Sequence, residues 1–88
     1  MSRAGPRLVA RARLKWDRVG NRHLLLYPER GIALSESAAA ILKLCDGDHS
    51  VDAIVEEMAR THTGADPEIV RRDVLALLEA MSKRGLID

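Results

Sequence analysis

The chain has a single cysteine, Cys45, in 88 residues. It can form no intrachain disulfide, and a lone thiol fits a reducing compartment. Long apolar runs are missing too. The longest, Ala38–Leu42 and Val74–Leu78, are five residues each, against the ~20 needed to span a bilayer. The amino terminus lacks the apolar stretch of a signal peptide, so a cytoplasmic protein is expected. There is no excess charge of either sign: 14 Lys plus Arg stand against 13 Asp plus Glu, a formal net charge of +1. That balance argues against a general polyanion binder. The six glycines form neither a G-x-G-x-x-G fingerprint nor a P-loop, so no cradle for a nucleotide phosphate is visible.

Catalytic constellations are absent as well. Ser35 and Ser50 precede helical patterns and read as caps; no G-x-S-x-G surrounds either. Glu56 and Glu57 are adjacent on a helix face and do not converge on one atom. Cys45, His49 and His62 make a poor ligand set, because structural zinc takes four. No metal, cofactor or catalytic residue is assigned.

Apolar residues make up 47% of the chain and charged residues 31%, the balance of a folded single domain. Met1–Pro6 is small and polar and reads as a flexible tail, leaving 7–88 as the domain. Between Ala10 and Arg18 the pattern alternates. Ala12, Leu14 and Trp16 fall on one face; Arg11, Arg13, Lys15 and Asp17 fall on the other, as in a half-buried antiparallel strand. Val19-Gly20-Asn21-Arg22 is a turn. His23–Tyr27 is a second strand, apolar on both faces and so expected to be central or covered. Pro28-Glu29-Arg30-Gly31 turns the chain again, and Ile32–Leu34 closes a three-stranded meander.

Three helices follow. The first runs from Glu36 to Cys45 behind Ser35, with Ala38, Ile41, Leu42 and Cys45 as its stripe and Gly47 as its stop. The second follows Ser50, turns Val51, Ile54, Val55 and Met58 inward, and breaks at Thr61–Gly64. The third opens on Asp66 and Pro67, continues to Lys83 or Arg84, and stops at Gly85. Its stripe is Val70, Val74, Leu77 and Met81, with Leu78 beside it, Leu75 further round and Ile69 on the opposite flank. This arc is wider than one core contact needs. A second partner would explain it, but the simpler expectation is that sheet and helices share it. Leu86 and Ile87 are expected to fold back on the core.

The order β-β-β-α-α-α predicts an α+β domain of winged helix-turn-helix type: a three-stranded antiparallel sheet followed by three α-helices. Two uses of such a domain follow. The short third strand has a free side if it ends its sheet, and unpaired main-chain groups there can accept a peptide strand. Alternatively the third helix reads DNA through Arg71 and Arg72. Glu68, Asp73 and Glu79 on that helix oppose the second use. The basic run Arg11, Arg13, Lys15 and Arg18 reads as a solvated strand face.

The ordered set Pro6-Arg7-Leu8, Arg13-Leu14-Lys15-Trp16-Asp17, Leu25-Leu26-Tyr27-Pro28-Glu29-Arg30, Leu34, Ala38-Ala39-Ala40-Ile41-Leu42, Leu44-Cys45-Asp46-Gly47 and Asp73-Val74-Leu75-Ala76-Leu77-Leu78 closely resembles the pyrroloquinoline quinone biosynthesis protein D family. The Tyr-Pro-Glu-Arg stretch and the Leu-Cys-Asp-Gly turn are the most specific parts. Gly31-Ile32-Ala33 departs from a bulkier, β-branched edge. The resemblance implies a stand-alone precursor-peptide recognition domain that is not an enzyme. Such a domain binds the precursor peptide (PqqA) as an added strand and presents it to a radical S-adenosylmethionine enzyme (PqqE), which joins a Glu and a Tyr side chain. Matched positions place the added strand beside Ile32, Ala33 and Leu34. They place the groove wall at Val70, Asp73, Val74, Leu77 and Leu78, with Arg71 at the rim. Free edges can also self-pair or swap into homodimers. Retention of the quinone product is a weaker possibility: Trp16 and Tyr27 are the only aromatics, and no basic pocket is visible.

Overall fold

The computed structural model describes residues 5–28, 30–62 and 64–88. Three strands, β1 (Arg13–Asp17), β2 (Arg22–Tyr27) and β3 (Arg30–Leu34), form one antiparallel sheet in the order β1-β2-β3. Three helices follow: α1 (Glu36–Lys43), α2 (Val51–Thr61) and α3 (Pro67–Lys83). This is the winged-helix-like α+β arrangement.

Local signals start each helix. The side chains of Ser35, Ser50 and Asp66 accept hydrogen bonds from the N–H groups of Ala38, Ala53 and Glu68 at 3.1, 3.0 and 3.0 Å. Each satisfies one of the orphan donors of a first turn, which contributes about 1 kcal/mol. Pro67 supplies a preset φ at the first turn of α3.

Register then fixes which faces meet. Leu14 pairs with Leu25 and Leu25 with Ile32, so these three share one face of the sheet. That face packs on the helices: Leu25 is fully enclosed, with Ile41 and Leu42 of α1, Ile54, Val55 and Met58 of α2, and Val74, Leu78 and Met81 of α3. The opposite face of the sheet carries Leu24 and Leu26. β2 is apolar on both sides because it is central, and Leu24 and Leu26 on its outer face are half-buried. A Cβ at Gly31 would lie 2.9 Å from Leu26 Cδ2, the mobile end of a side chain that could shift to admit it.

Several boundaries differ from those the sequence suggests. β1 begins at Arg13 because Ala10 and Arg11 are in a turn, closed by the Ala12 N–H on the Val9 carbonyl. Trp16 is on the predicted face but lies 45% exposed, edge-on to His23 with ring centroids 4.8 Å apart. β3 is longer than expected, because Arg30 and Gly31 pair with Tyr27 and Leu26; Glu29 of that turn lies outside the described residues. α1 ends at Lys43, capped by Leu44, so Cys45 lies beyond the helix. Gly47, with φ of 88°, turns the following loop instead of ending the helix.

The amino-terminal segment is tied into the domain. The Leu8 N–H donates to the Cys45 carbonyl and the Val9 N–H to the Leu86 carbonyl, both at 3.0 Å. The Gly47 N–H donates to the Pro6 carbonyl at 3.0 Å. Gly5 passes so close to His49 that a Cβ would sit 1.8 Å from its carbonyl oxygen. Of the expected tail, residues 1–4 lie outside the described residues, while Gly5 and Pro6 are packed. Leu86 folds back as expected and is fully buried.

Candidate peptide-binding edge and trough

Among the described residues β3 has β2 on one side and no strand on the other. The amino-terminal segment pairs with the Cys45–Gly47 loop and the carboxy terminus instead. Among the described residues nothing pairs with the outer main chain of Ile32, Ala33 and Leu34. Ala33 is exposed, and Ile32 and Leu34 are half-buried against the core.

The edge leads into a trough. Ser35 follows Leu34 directly and lines a cavity of about 240 Å³ together with Ser37, Ala38, Ile41, Asp73, Ala76 and Leu77. A second cavity of about 250 Å³ continues it along α3, past Val70 and Val74 to Met58 and His62. The two share Ser37, Ile41 and Asp73. One wall is α1, the other the amino-terminal half of α3. Among the described residues Asp73 is the only Asp, Glu, Lys or Arg to line either cavity. An apolar trough with one carboxylate, opening at a free sheet edge, suits an extended peptide more than a small polar substrate.

Of the residues assigned by matched position, the structure brings Val70, Asp73, Val74 and Leu77 together along the trough. Ile32, Ala33 and Leu34 lie on the edge that leads to it. Two are placed elsewhere. Leu78 is 8% exposed and belongs to the core. Arg71 is not at the rim: its guanidinium reaches across to α2 and sits 2.9 Å from Asp52 Oδ1. At about 100° per residue the helix turns position 71 away from the flank that carries Asp73. The same ion pair weighs against the DNA reading, because one of its two arginines is already engaged. The α1 wall, Ser37, Ala38 and Ile41, is absent from the sequence assignment. Ala38 and Ile41 are in the apolar stripe of α1, which reads as core.

The wide apolar arc of α3 is now explained in part. Val74, Leu78 and Met81 face the core, and Val70, Leu77 and Ile69 border the trough. Leu75 is covered by neither and remains 46% exposed, contrary to the shared-cover expectation.

The other reactive groups are separate. Cys45 is buried and its Sγ–H donates to the Ile41 carbonyl; burial, then the charge of Asp46, push the thiol up to about 11. His49 Nδ1 lies 3.0 Å from Asp46 Oδ1. The hydrogen bond from His49, then the Asp48 backbone N–H, hold the Asp46 carboxyl down to about 2; its bond to Asp46 raises His49 above its ordinary value. Among the described residues no three His, Cys, Asp or Glu side chains are grouped to hold a metal ion. No helix among them is long and apolar enough to cross a membrane.

The family model for Coenzyme PQQ synthesis protein D (PqqD) matches residues 22–87. This chain belongs to the PqqD family. It is 42% identical over 82 residues to a PqqA binding protein of Rhodopseudomonas palustris (strain TIE-1), covering 93% of this chain and 79% of that protein. It is 39% identical over 83 residues to the bifunctional coenzyme PQQ synthesis protein C/D of Methylorubrum extorquens, covering 94% of this chain but 22% of that longer protein. The solution NMR structure of the PqqD truncation of Methylobacterium extorquens PqqCD superposes with a TM-score of 0.80 at 38% identity, covering 94% of this chain and 87% of the other. That truncation is described as a functional and stand-alone recognition element for ribosomally synthesized, post-translationally modified peptides. TbiB1, solved with the TbiA(beta) leader peptide, shares the fold with a TM-score of 0.77 at 17% identity, covering 93% of this chain and 94% of the other.

Proposed function

We propose that this chain binds the precursor peptide PqqA of pyrroloquinoline quinone biosynthesis as a fourth strand along β3. It then presents the peptide to the radical S-adenosylmethionine enzyme PqqE in the cytoplasm and performs no chemistry itself. One observation carries the reading: the unpaired edge of β3 runs directly into the apolar trough between α1 and α3. The names of the family relatives, PqqA binding protein among them, support the identity of the peptide.

The energetics suit capture and release. Each main-chain bond along β3 contributes roughly 0.5–1.5 kcal/mol net. Apolar side chains laid into the trough add about 25 cal/mol per Å² buried. Ordering the peptide opposes both, so micromolar or tighter binding is expected. In this reading one segment of the peptide is held along β3 and its remaining length is left for the enzyme.

The test is an amide-shift titration of the ¹⁵N-labelled protein with PqqA. Saturable shifts are expected in β3, the first turns of α1 and the trough face of α3. A titration that leaves β3 unmoved while other elements shift would refute strand addition.

A further inference from the structure

The face of the sheet turned away from the helices carries a second surface, one the peptide site does not use. Side chains alternate along a strand, so Leu24 and Leu26 point away from the core that encloses Leu25. Across the sheet their partners are Lys15 and Arg13 on β1, and Ala33 and Gly31 on β3. Cations thus border an apolar centre. At that border lies an open groove of about 470 Å³, lined by Arg11, Arg13, Lys15, Leu26, Tyr27 and Pro28.

Among the described residues none of Arg11, Arg13 and Lys15 is ion-paired. Arg11 donates only to the Gly85 carbonyl at 3.2 Å. The one carboxylate on the same face of β1, Asp17, is held by Arg22 at 3.3 Å. Asp46, Asp48, Asp52, Glu56 and Glu57 lie instead in the loop before α2 and on α2. The small net charge therefore conceals a separation: a basic sheet face and an acidic α2 region.

We infer that this outer sheet face docks an acidic surface patch of the modifying enzyme while the peptide occupies the trough; the inference rests on the presentation role proposed above. Spacing favours a protein partner. Residues two apart on a strand are about 6.8 Å apart, so Arg13 and Lys15 are spread more widely than one small anion spans. Carboxylates one turn apart on a helix, at about 5–6 Å, meet them better. An apolar centre edged by arginine is also the composition of a protein interface. The trough lies on the helix side of the sheet and this face on the other, so both can be engaged at once.

The test pairs two bindings on the same variants. Arg11→Glu/Arg13→Glu/Lys15→Glu reverses the patch, and Arg13→Ala/Lys15→Ala removes its two exposed strand cations. Titrate each with PqqA, and each peptide-loaded protein with PqqE, at low and at physiological ionic strength. Charge reversal is expected to weaken enzyme binding about tenfold or more and to abolish its salt dependence, with peptide affinity unchanged. The alanine pair gives a smaller loss in the same direction and serves if the reversed protein does not fold. Enzyme binding equal to wild type in a folded variant overturns the inference and leaves the peptide role standing. Failure of the wild-type complex to bind PqqE overturns presentation itself. Displacement of bound PqqE by free quinone or by duplex DNA, with shifts in β1, would make the groove a site for another anion and also overturn the inference.

Discussion

Replacing Ala33 and Leu34 one at a time by proline separates the two sides of β3. In an antiparallel pair the main-chain groups of successive residues turn alternately towards the partner strand and away from it. Of two adjacent residues in β3, one therefore bonds β2 and the other points its N–H at the open side. Proline removes that N–H. At the inward position it deletes a ladder bond and leaves a β2 carbonyl without its donor, a loss of about 1–3 kcal/mol. At about 4–8 °C per kcal/mol for a domain of this size, Tm falls by roughly 5–20 °C. At the outward position the ladder survives and Tm falls less. There the missing donor and the ring in the path of the peptide weaken binding by about 1–3 kcal/mol, roughly 5- to 150-fold in Kd. Thermal melts by circular dichroism, with calorimetric titration of PqqA on each variant, read both effects. The reasoning requires the variant with the smaller Tm loss to show the larger binding loss. If that variant binds PqqA with the wild-type Kd, the edge is not where the peptide pairs.

Other perturbations address single features. Ala76 is exposed and lines the trough, so Ala76→Trp should fill it and weaken PqqA binding about tenfold, the equivalent of some 55 Å² of lost apolar burial; a wild-type titration would exclude that part of the trough. Arg71→Ala removes only the exposed pair with Asp52, so stability should change by about 0.2–1 kcal/mol and peptide affinity should not change; a tenfold loss of affinity would return Arg71 to the site. The His49 proton titration, followed by NMR, should have its midpoint above 6.5, and Asp46→Asn should lower it; a midpoint at or below 6.5 in the native protein contradicts the pairing. The signs follow from linkage: the His49 contribution is complete below 6.5 and fades as pH rises through its raised value, and that of Asp46 is complete above 3.8 and fades as pH falls through about 2.

What the sequence discloses divides by distance along the chain. The caps at Ser35, Ser50 and Asp66 act over two or three residues, and all three are where local rules put them. Strand alternation separates Leu14 and Trp16 from Arg13, Lys15 and Asp17 because period two is a local property as well; that Leu14 then meets Leu25, and Leu25 meets Ile32, is seen only in the structure. Long-range pairings are not written locally. Nothing near Arg71 says that Asp52 holds it, and nothing near Leu8 says that it bridges to Ile87. Those pairings decide that Arg71 leaves the trough rim and that Gly5 and Pro6 are packed. The α1 wall was hidden for another reason. Ile41 serves both core and trough, being 4% exposed yet lining both cavities, and a single apolar stripe cannot reveal two roles.

The breadth of the α3 stripe is the one long-range signal that survives in the sequence. A helix packed on one neighbour needs an apolar arc of about 100°. α3 carries Val74, Leu78 and Met81 towards the core and Val70, Leu77 and Ile69 along the trough, two adjoining arcs of a single helix. The second arc is covered only in part: Val70 and Leu77 are half-buried against the core and Ile69 is 45% exposed. A half-covered arc beside a strand edge suits one occupant that supplies both backbone and apolar side chains. An extended peptide does; a small molecule or a DNA phosphate does not. On the peptide-binding reading proposed above, Val70, Leu77 and Ile69 are the part of the arc that this chain would offer its partner, while Leu75, exposed on the other flank, is left outside it.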